Sequence, residues 1–360
     1  MEQMIRLATY AMGTRFEILL SGDDAVGVRA AGEEALALIE ECDRQFSIFE
    51  RDSLISHINR IAHRRPVRLD ADTFAMFRVC LAVHEESGGA FDVTVGPLME
   101  ELGFRGDSEP APAGGPARVD IGSEWIELDE EDQTIHFVDG KRLKLDLGGV
   151  AKGHALDLAR QSLVGNGVTS ALLHGGTSGV VTIGCPVQPG FENPDGWRVA
   201  IRSPDKSKEA RYSRCPSVAL KDSALSVSAQ HGRVAPGADG TVRGHVIDPR
   251  GDGTVSPADI VMTAVIGSSA CQADAWSTAL LVTGSTGMCS EAFGKTGMTG
   301  LICRPEVTGD EVLPKWALIG SDGGTWQECV RIPEAIHSAG SPADAVVDDD
   351  DDDDISVERE

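Results

Sequence analysis

A chain of 360 residues, 41% of them hydrophobic, is long enough for one large domain or two modest ones and can bury a sizeable core. Its 41 glycines and 5% aromatics favour a loop-rich α/β or α+β enzyme over a helical bundle. A formal net charge of −25 argues against nucleic acid or an anionic membrane surface as the main partner.

Taken in order, residues 4–20 read as two short strands, with TRFEILL alternating inward and outward. Residues 26–42 carry a helical stripe of Ala30, Ala31, Ala35, Leu38, Ile39 and Cys42. Asp52-Ser53 caps a second helix through Ile61, and Asp70 or Asp72 caps a third that stops at Gly88-Gly89. Residues 105–118, rich in Pro, Gly and Ala, read as a mobile surface loop. Strands are expected at 125–128, 134–138 and 142–147, the last two turning at Asp139-Gly140. A helix at 150–164 and a strand–GG–strand unit at 170–183 follow. WRVAI, SVAL, ALSVS and IVMTAVIG give further strands; a helix near Ala273 and a final strand near GLIC close the folded part. No internal repeat is visible. The expected organisation is one domain over 1–332 and a disordered acidic tail over 333–360, which holds the run Asp348 to Asp354.

Eight cysteines stand without a CxxC pair, so reduced thiols are expected rather than a disulfide framework or a zinc site. Cys42 and Cys80 fall in helical patterns and read as small core residues. No stretch approaches the apolar length that spans a bilayer. The N-terminal MEQMIRLATYAMGT has neither a signal-peptide apolar region nor a lipid-attachment cysteine, so the expected location is the cytoplasm.

Two segments carry the chemistry. LDLGGVAKGHALD (145–157) reads as a strand that runs into Gly148-Gly149 and opens a helix, leaving backbone N–H groups free for phosphates. Its plainer reading is a tight turn with Lys152 solvated. ADAWSTAL (273–280) sets Asp274 and Thr278 four residues apart on one helix face, two hard oxygen ligands suited to magnesium. Its plainer reading is an exposed helical pair, with Asp274 favouring the helix N-terminus through the dipole. A phosphate cradle plus a magnesium pair points to phosphoryl chemistry on a nucleotide. His245, in GHVIDPRGD, meets a turn set by Asp248-Pro249 and reads either as structural or as a base for a hydroxyl nucleophile. Ala90-Phe91-Asp92, in GGAFDVTVGPL, reads either as a core anchor and turn cap or as a loop offering an aromatic and a carboxylate to a flat ring. His174 and His231 show no partner and read as structural or surface residues.

Eight segments in order carry a resemblance: AMGTRFEI (11–18), FSIFERDSLISHIN (46–59), GGAFDVTVGPL (88–98), LDLGGVAKGHALD, the GG turn at 175–176, GWRVAIRSP (196–204), HVIDPRGD (245–252) and ADAWSTALLVTG (273–284). Together the chain resembles the ApbE family, the FAD:protein FMN transferases. The resemblance implies an α+β fold related to the T-fold, with mixed sheets flanked by helices and FAD in a cleft between two lobes. It implies an enzyme that moves FMN from FAD to a Thr or Ser hydroxyl of a target flavoprotein, releasing AMP and needing magnesium. By position, Met12, Phe49, Ala90, Phe91, Asp92, Asp146, Lys152 and Ile247 are expected to contact FAD. The Gly149 carbonyl and the side chains of Asp274 and Thr278 are expected to hold Mg2+, and His245 matches the family histidine proposed to help activate the incoming hydroxyl. The chain departs from the family pattern at His154, where many relatives have tyrosine, at HGGTSG around the GG turn, and at SVSAQHGR (226–233). These departures bear on adenine or target-peptide contacts more than on the metal. The competing readings are a magnesium-dependent FAD pyrophosphatase and a flavin-binding protein without turnover. Neither nucleic acid nor a membrane anchor is expected.

Overall fold

The computed structural model describes residues 4–102, 104, 120–187, 194–201, 217–230, 234–236, 242–244, 246–251, 260–284, 286–308, 311–319 and 327–328. The 105–118 loop, His231, His245 and the acidic tail lie outside these described residues.

The chain opens with a hairpin, β1 (Ile5–Ala11) and β2 (Thr14–Ser21), paired from Ile5↔Leu20 to Ala11↔Thr14. Its two-residue turn places Met12 at φ 52° and Gly13 at φ 72°. Positive φ at both positions matches the right-handed twist of the strands, and a non-glycine residue there costs about 1 kcal/mol. Next come α1 (Ala25–Phe46), α2 (Leu54–Ile61), β3 (Val67–Arg68), α3 (Ala71–Glu86) and α4 (Gly96–Glu101). The first three helices are capped by side chains: Asp24 accepts from Val26 N and Gly27 N, Ser53 from Ser56 N, and Asp70 from Thr73 N. A small sheet adds β4 (Ile126–Asp129) and β5 (Thr134–Phe137) in the order β3-β5-β4.

The remaining elements are α5 (Ala151–Gly165), β6 (Ser170–Gly175), β7 (Gly179–Ile183), β8 (Trp197–Ala200), β9 (Ser217–Leu220), β10 (Ala224–Ala229), β11 (Val234–Pro236) and β12 (Val242–Gly244). After them come β13 (Met262–Gly267), α6 (Ala270–Thr283), α7 (Thr286–Thr296), β14 (Thr299–Thr308), β15 (Glu311–Ile319) and β16 (Gln327–Glu328). A nine-stranded sheet runs β1-β2-β6-β7-β10-β13-β14-β15-β16, each neighbouring pair antiparallel. Alternation along its strands separates two apolar clusters. Phe16, Ile18, Leu20, Leu173, Val181 and Val265 join the helices in the main core. Leu172, Val180, Leu225, Ala264 and Leu301 face the other way and are covered by Trp197 and Val199 of β8 and Leu220 of β9.

The fold is α+β, as expected. Two expectations are corrected. Residues 142–147 do not form a strand. Their backbone groups bond singly to other segments: Leu145 N to Asn59 Oδ1, Gly96 N to Lys144 O and Asp146 N to Val93 O. The folded part also does not end at GLIC, because α7 precedes that strand and β15 and β16 follow it. Cys42, Cys80, Cys185, Cys271, Cys289 and Cys303 are free thiols, and burial pushes the Cys42 thiol up to about 12. No helix among the described residues is long and apolar enough to cross a membrane.

Candidate active site

The two motif segments meet through α5 and α6. Asp157, on α5, caps α6: its carboxylate accepts from Ser269 Oγ (2.7 Å), Ala270 N (3.0 Å) and Cys271 N (3.0 Å). That supplies negative charge and acceptors where a helix start lacks partners. Closer to the turn, Gly153 N donates to Asp274 Oδ2 at 3.2 Å. A Cβ on Gly153 would lie 2.3 Å from the Ala270 carbonyl oxygen, so only glycine permits this approach.

Asp274 is therefore buried, at 4% exposure, and not on an exposed helix face. Its Oδ1 accepts from Ser226 Oγ at 2.9 Å. Ser226 and Ser228 alternate onto the helix-facing side of β10, and Ser228 Oγ lies 2.7 Å from Ser277 Oγ and 3.3 Å from Thr278 Oγ1. A Cβ built on Gly149 would lie 3.2 Å from Thr278 Oγ1 and 3.3 Å from Phe91 Cε2. Gly149, Thr278 and Phe91 thus converge, with Asp274 one helical turn before Thr278. Asp274 and Thr278 supply a carboxylate and a hydroxyl, and the Gly149 carbonyl expected beside them would complete an all-oxygen donor set, which fits a hard divalent cation.

The turn itself is fixed by its own side chains. Asp146 is buried and its Oδ1 accepts from Gly148 N at 2.8 Å. Lys152 Nζ donates to the Gly148 carbonyl at 3.3 Å, so it is held over the turn and is not simply solvated.

Ala90, Phe91 and Asp92 are all buried. Asp92 behaves as the turn cap of the plainer reading. Its Oδ1 accepts from Thr94 N, Thr94 Oγ1 and Ser123 Oγ, each at 2.7 Å, and its Oδ2 accepts from Ser123 N at 3.0 Å. His84 clamps the same loop. Its Nδ1 lies 3.0 Å from the Phe91 carbonyl and 3.4 Å from Asp92 Oδ2, and its Nε2 lies 3.5 Å from Glu124 Oε2. A carbonyl only accepts, so Nδ1 carries the proton in that bond.

Met12 sits half-buried in its hairpin turn, outside this convergence. Phe49 is 70% exposed and lines a cavity of about 420 Å³ beside Asn59 and Leu143. Ile247 is buried. Its loop approaches the 88–92 turn, where Arg250 Cγ would lie 3.5 Å from a Cβ on Gly89. Arg250 in turn holds Asp248, whose carboxyl is kept below its ordinary range chiefly by that guanidinium. His174 is half-buried, with Nε2 3.9 Å from Glu17 Oε2, and burial lowers its pKa. Sequence reasoning missed His84, Ser123, Ser226 and Ser228. For the two β10 serines a signal existed: polar residues two apart on an otherwise apolar strand mark one face.

The profile of the ApbE family matches residues 12–294, a span that contains every expected site residue from Met12 to Thr278. The chain is 28% identical over 281 residues to the FAD:protein FMN transferase of Klebsiella pneumoniae (strain 342), covering 76% of this chain and 77% of that protein. It is 26% identical over 281 residues to the FAD:protein FMN transferase of Escherichia coli (strain K12), covering 76% of each. Among solved structures, the flavin transferase ApbE from Vibrio cholerae superposes with a TM-score of 0.70 at 23% identity, covering 89% of this chain and 98% of that one. The ApbE protein of Thermotoga maritima gives 0.68 at 24% identity, covering 91% and 97%. The profile spans most of the chain, and the chain belongs to the ApbE family.

Proposed function

We propose that the protein transfers FMN from FAD to a Thr or Ser hydroxyl of an acceptor flavoprotein, releasing AMP, with magnesium at Gly149, Asp274 and Thr278. The observation that carries this reading is the convergence of Gly149, Thr278 and Phe91 beside the buried Asp274, in a chain whose relatives are named FAD:protein FMN transferases. When bound, magnesium would neutralise charge on the pyrophosphate and orient it.

The chain's own residues do the positioning. Lys152, held over the Gly148-Gly149 turn at the start of α5, presents positive charge to a diphosphate. Phe91, with its carbonyl fixed by His84, supplies an apolar wall next to the metal ligands. Met12, Phe49, Ala90, Asp92, Asp146 and Ile247 are the further FAD contacts of this reading. Asp92 serves by shaping its turn, since internal donors reach both its oxygens, and Asp146 Oδ1 fixes the Gly148 N–H. The acceptor hydroxyl oxygen forms a bond to the FMN phosphorus, the bond from that phosphorus to the AMP oxygen breaks, and the hydroxyl proton passes to His245 as general base.

Incubation with FAD, magnesium and a candidate acceptor tests the reading. The acceptor is expected to gain the mass of one FMN less water. Release of FMN and AMP with the acceptor unlabelled would identify a pyrophosphatase instead.

A further inference from the structure

The cavity beside Phe49 is ringed by cations: Arg51, Arg60, Arg142 and Lys144 all line it. This is unusual in a chain with 57 acidic and 32 basic residues. Lys144 is neutralised by Glu100, and Arg60 is engaged with the Arg51 carbonyl and His57. The guanidinium groups of Arg51 and Arg142 have no hydrogen-bond or ion-pair partner among the described residues. Two free guanidinium groups at the mouth of a cavity ask for an anion, and their planar forks suit carboxylates.

FAD does not supply that anion. Its charge at neutral pH lies on the pyrophosphate, which the proposed function places between Lys152 and the magnesium held by Gly149, Asp274 and Thr278. None of those four residues lines the cavity. Both ring systems of FAD are uncharged, so a flavin or adenine next to Phe49 leaves the arginines unmatched. The other reactant is the acceptor protein. We propose that Arg51 and Arg142 dock an acidic segment of the acceptor, an inference that rests on the flavin-transfer reading. Arg142 and Gly149 are seven residues apart, a reach of at most about 25 Å. An extended acceptor segment of about eight residues spans that distance, so carboxylates docked there can orient a hydroxyl on the same acceptor. The overall charge of −25 repels an acidic partner at long range, so this local basic patch selects the orientation in which the partner can approach.

The test uses the full chain and a fluorescein-labelled peptide with one threonine flanked by Asp and Glu. A matched peptide carries Asn and Gln at those positions. By anisotropy at low salt, the acidic peptide should bind about tenfold or more tightly than the neutral one. The Arg51→Gln/Arg142→Gln variant should abolish that difference, while FAD affinity, followed by flavin fluorescence, stays at the wild-type value. Both side chains are exposed, so folding is not at risk. Unchanged peptide binding in the variant overturns the proposal. So does a parallel loss of FAD affinity, which would make the cavity part of the FAD site. Peptide binding needs no turnover, so its failure leaves flavin transfer standing; binding without any transfer would count against the transfer reading instead.

Discussion

In the proposed reading, Asp274 serves the fold and the chemistry with one carboxylate. It is buried and takes hydrogen bonds from Gly153 N and Ser226 Oγ. Alanine there would leave the buried Gly153 N–H unmatched, at a cost of about 1–3 kcal/mol, while Ser226 Oγ can turn to the Ser178 carbonyl at 3.1 Å. Asp274→Ala is therefore expected to lower the melting temperature as well as abolish magnesium-dependent turnover. Asp274→Asn keeps the shape and an acceptor, so it should retain most of the stability and still lose turnover. Thermal unfolding beside an AMP-release assay separates the two variants, and an alanine variant as stable as wild type would contradict the burial described. The sequence suggested an exposed pair because the i,i+4 spacing gives no depth. In α6 nearly every residue from Ala270 to Val282 is buried, so no polar face exists to orient the reader.

At the scale of elements, the α5–α6 contact is fitted closely around Gly153. Gly153→Ala would gain up to about 1 kcal/mol of helix propensity. The new Cβ would meet a backbone oxygen at 2.3 Å, which cannot yield unless α6 shifts. Overpacking of this kind costs about 1–3 kcal/mol or more, so the net effect is expected to be destabilising and to weaken magnesium binding with it. Denaturant unfolding and a magnesium titration of the variant check both. Also on α5, His154 is buried against Phe46, with ring centroids 5.6 Å apart and Nε2 without a hydrogen-bond partner among the described residues. Burial lowers its pKa below the ordinary value of 6.5. A histidine with a depressed folded-state pKa contributes stability that is full above the unfolded pKa and lost as pH falls through the folded one. The melting temperature should therefore fall as pH drops below about 6.5. His154→Phe should flatten that acid limb, because it removes both the titration and the orphaned nitrogen; an acid limb unchanged in His154→Phe would assign the loss to other groups.

The same elements show what a sequence can reveal. Ser53 and Asp70 announced their helices because a cap is a local pattern. The β1–β2 hairpin followed from alternation alone. Residues 142–147 misled because Lys-Leu-Asp-Leu alternates like a strand, whereas its partners, Asn59, Val93 and Gly96, are scattered along the chain. The His84 and Ser123 clamp on the 90–92 loop depends on contacts across 31 residues in the case of Ser123 and on a folded turn in the case of His84, and neither leaves a local trace.

At the scale of the whole molecule, the sheet and its helices bring Gly149 and Thr278 into contact although 129 positions separate them in the chain. The central claim is that this contact, with Asp274, forms one magnesium-dependent site that passes FMN to a protein hydroxyl. The most direct measurement is the ratio of AMP released to FMN attached to acceptor, with magnesium and with EDTA, for wild type and Asp274→Asn. The account predicts one AMP for each FMN attached in wild type with magnesium, and neither product with EDTA or in the variant. AMP released in excess of labelled acceptor, or labelling that persists in EDTA and in Asp274→Asn, would contradict it.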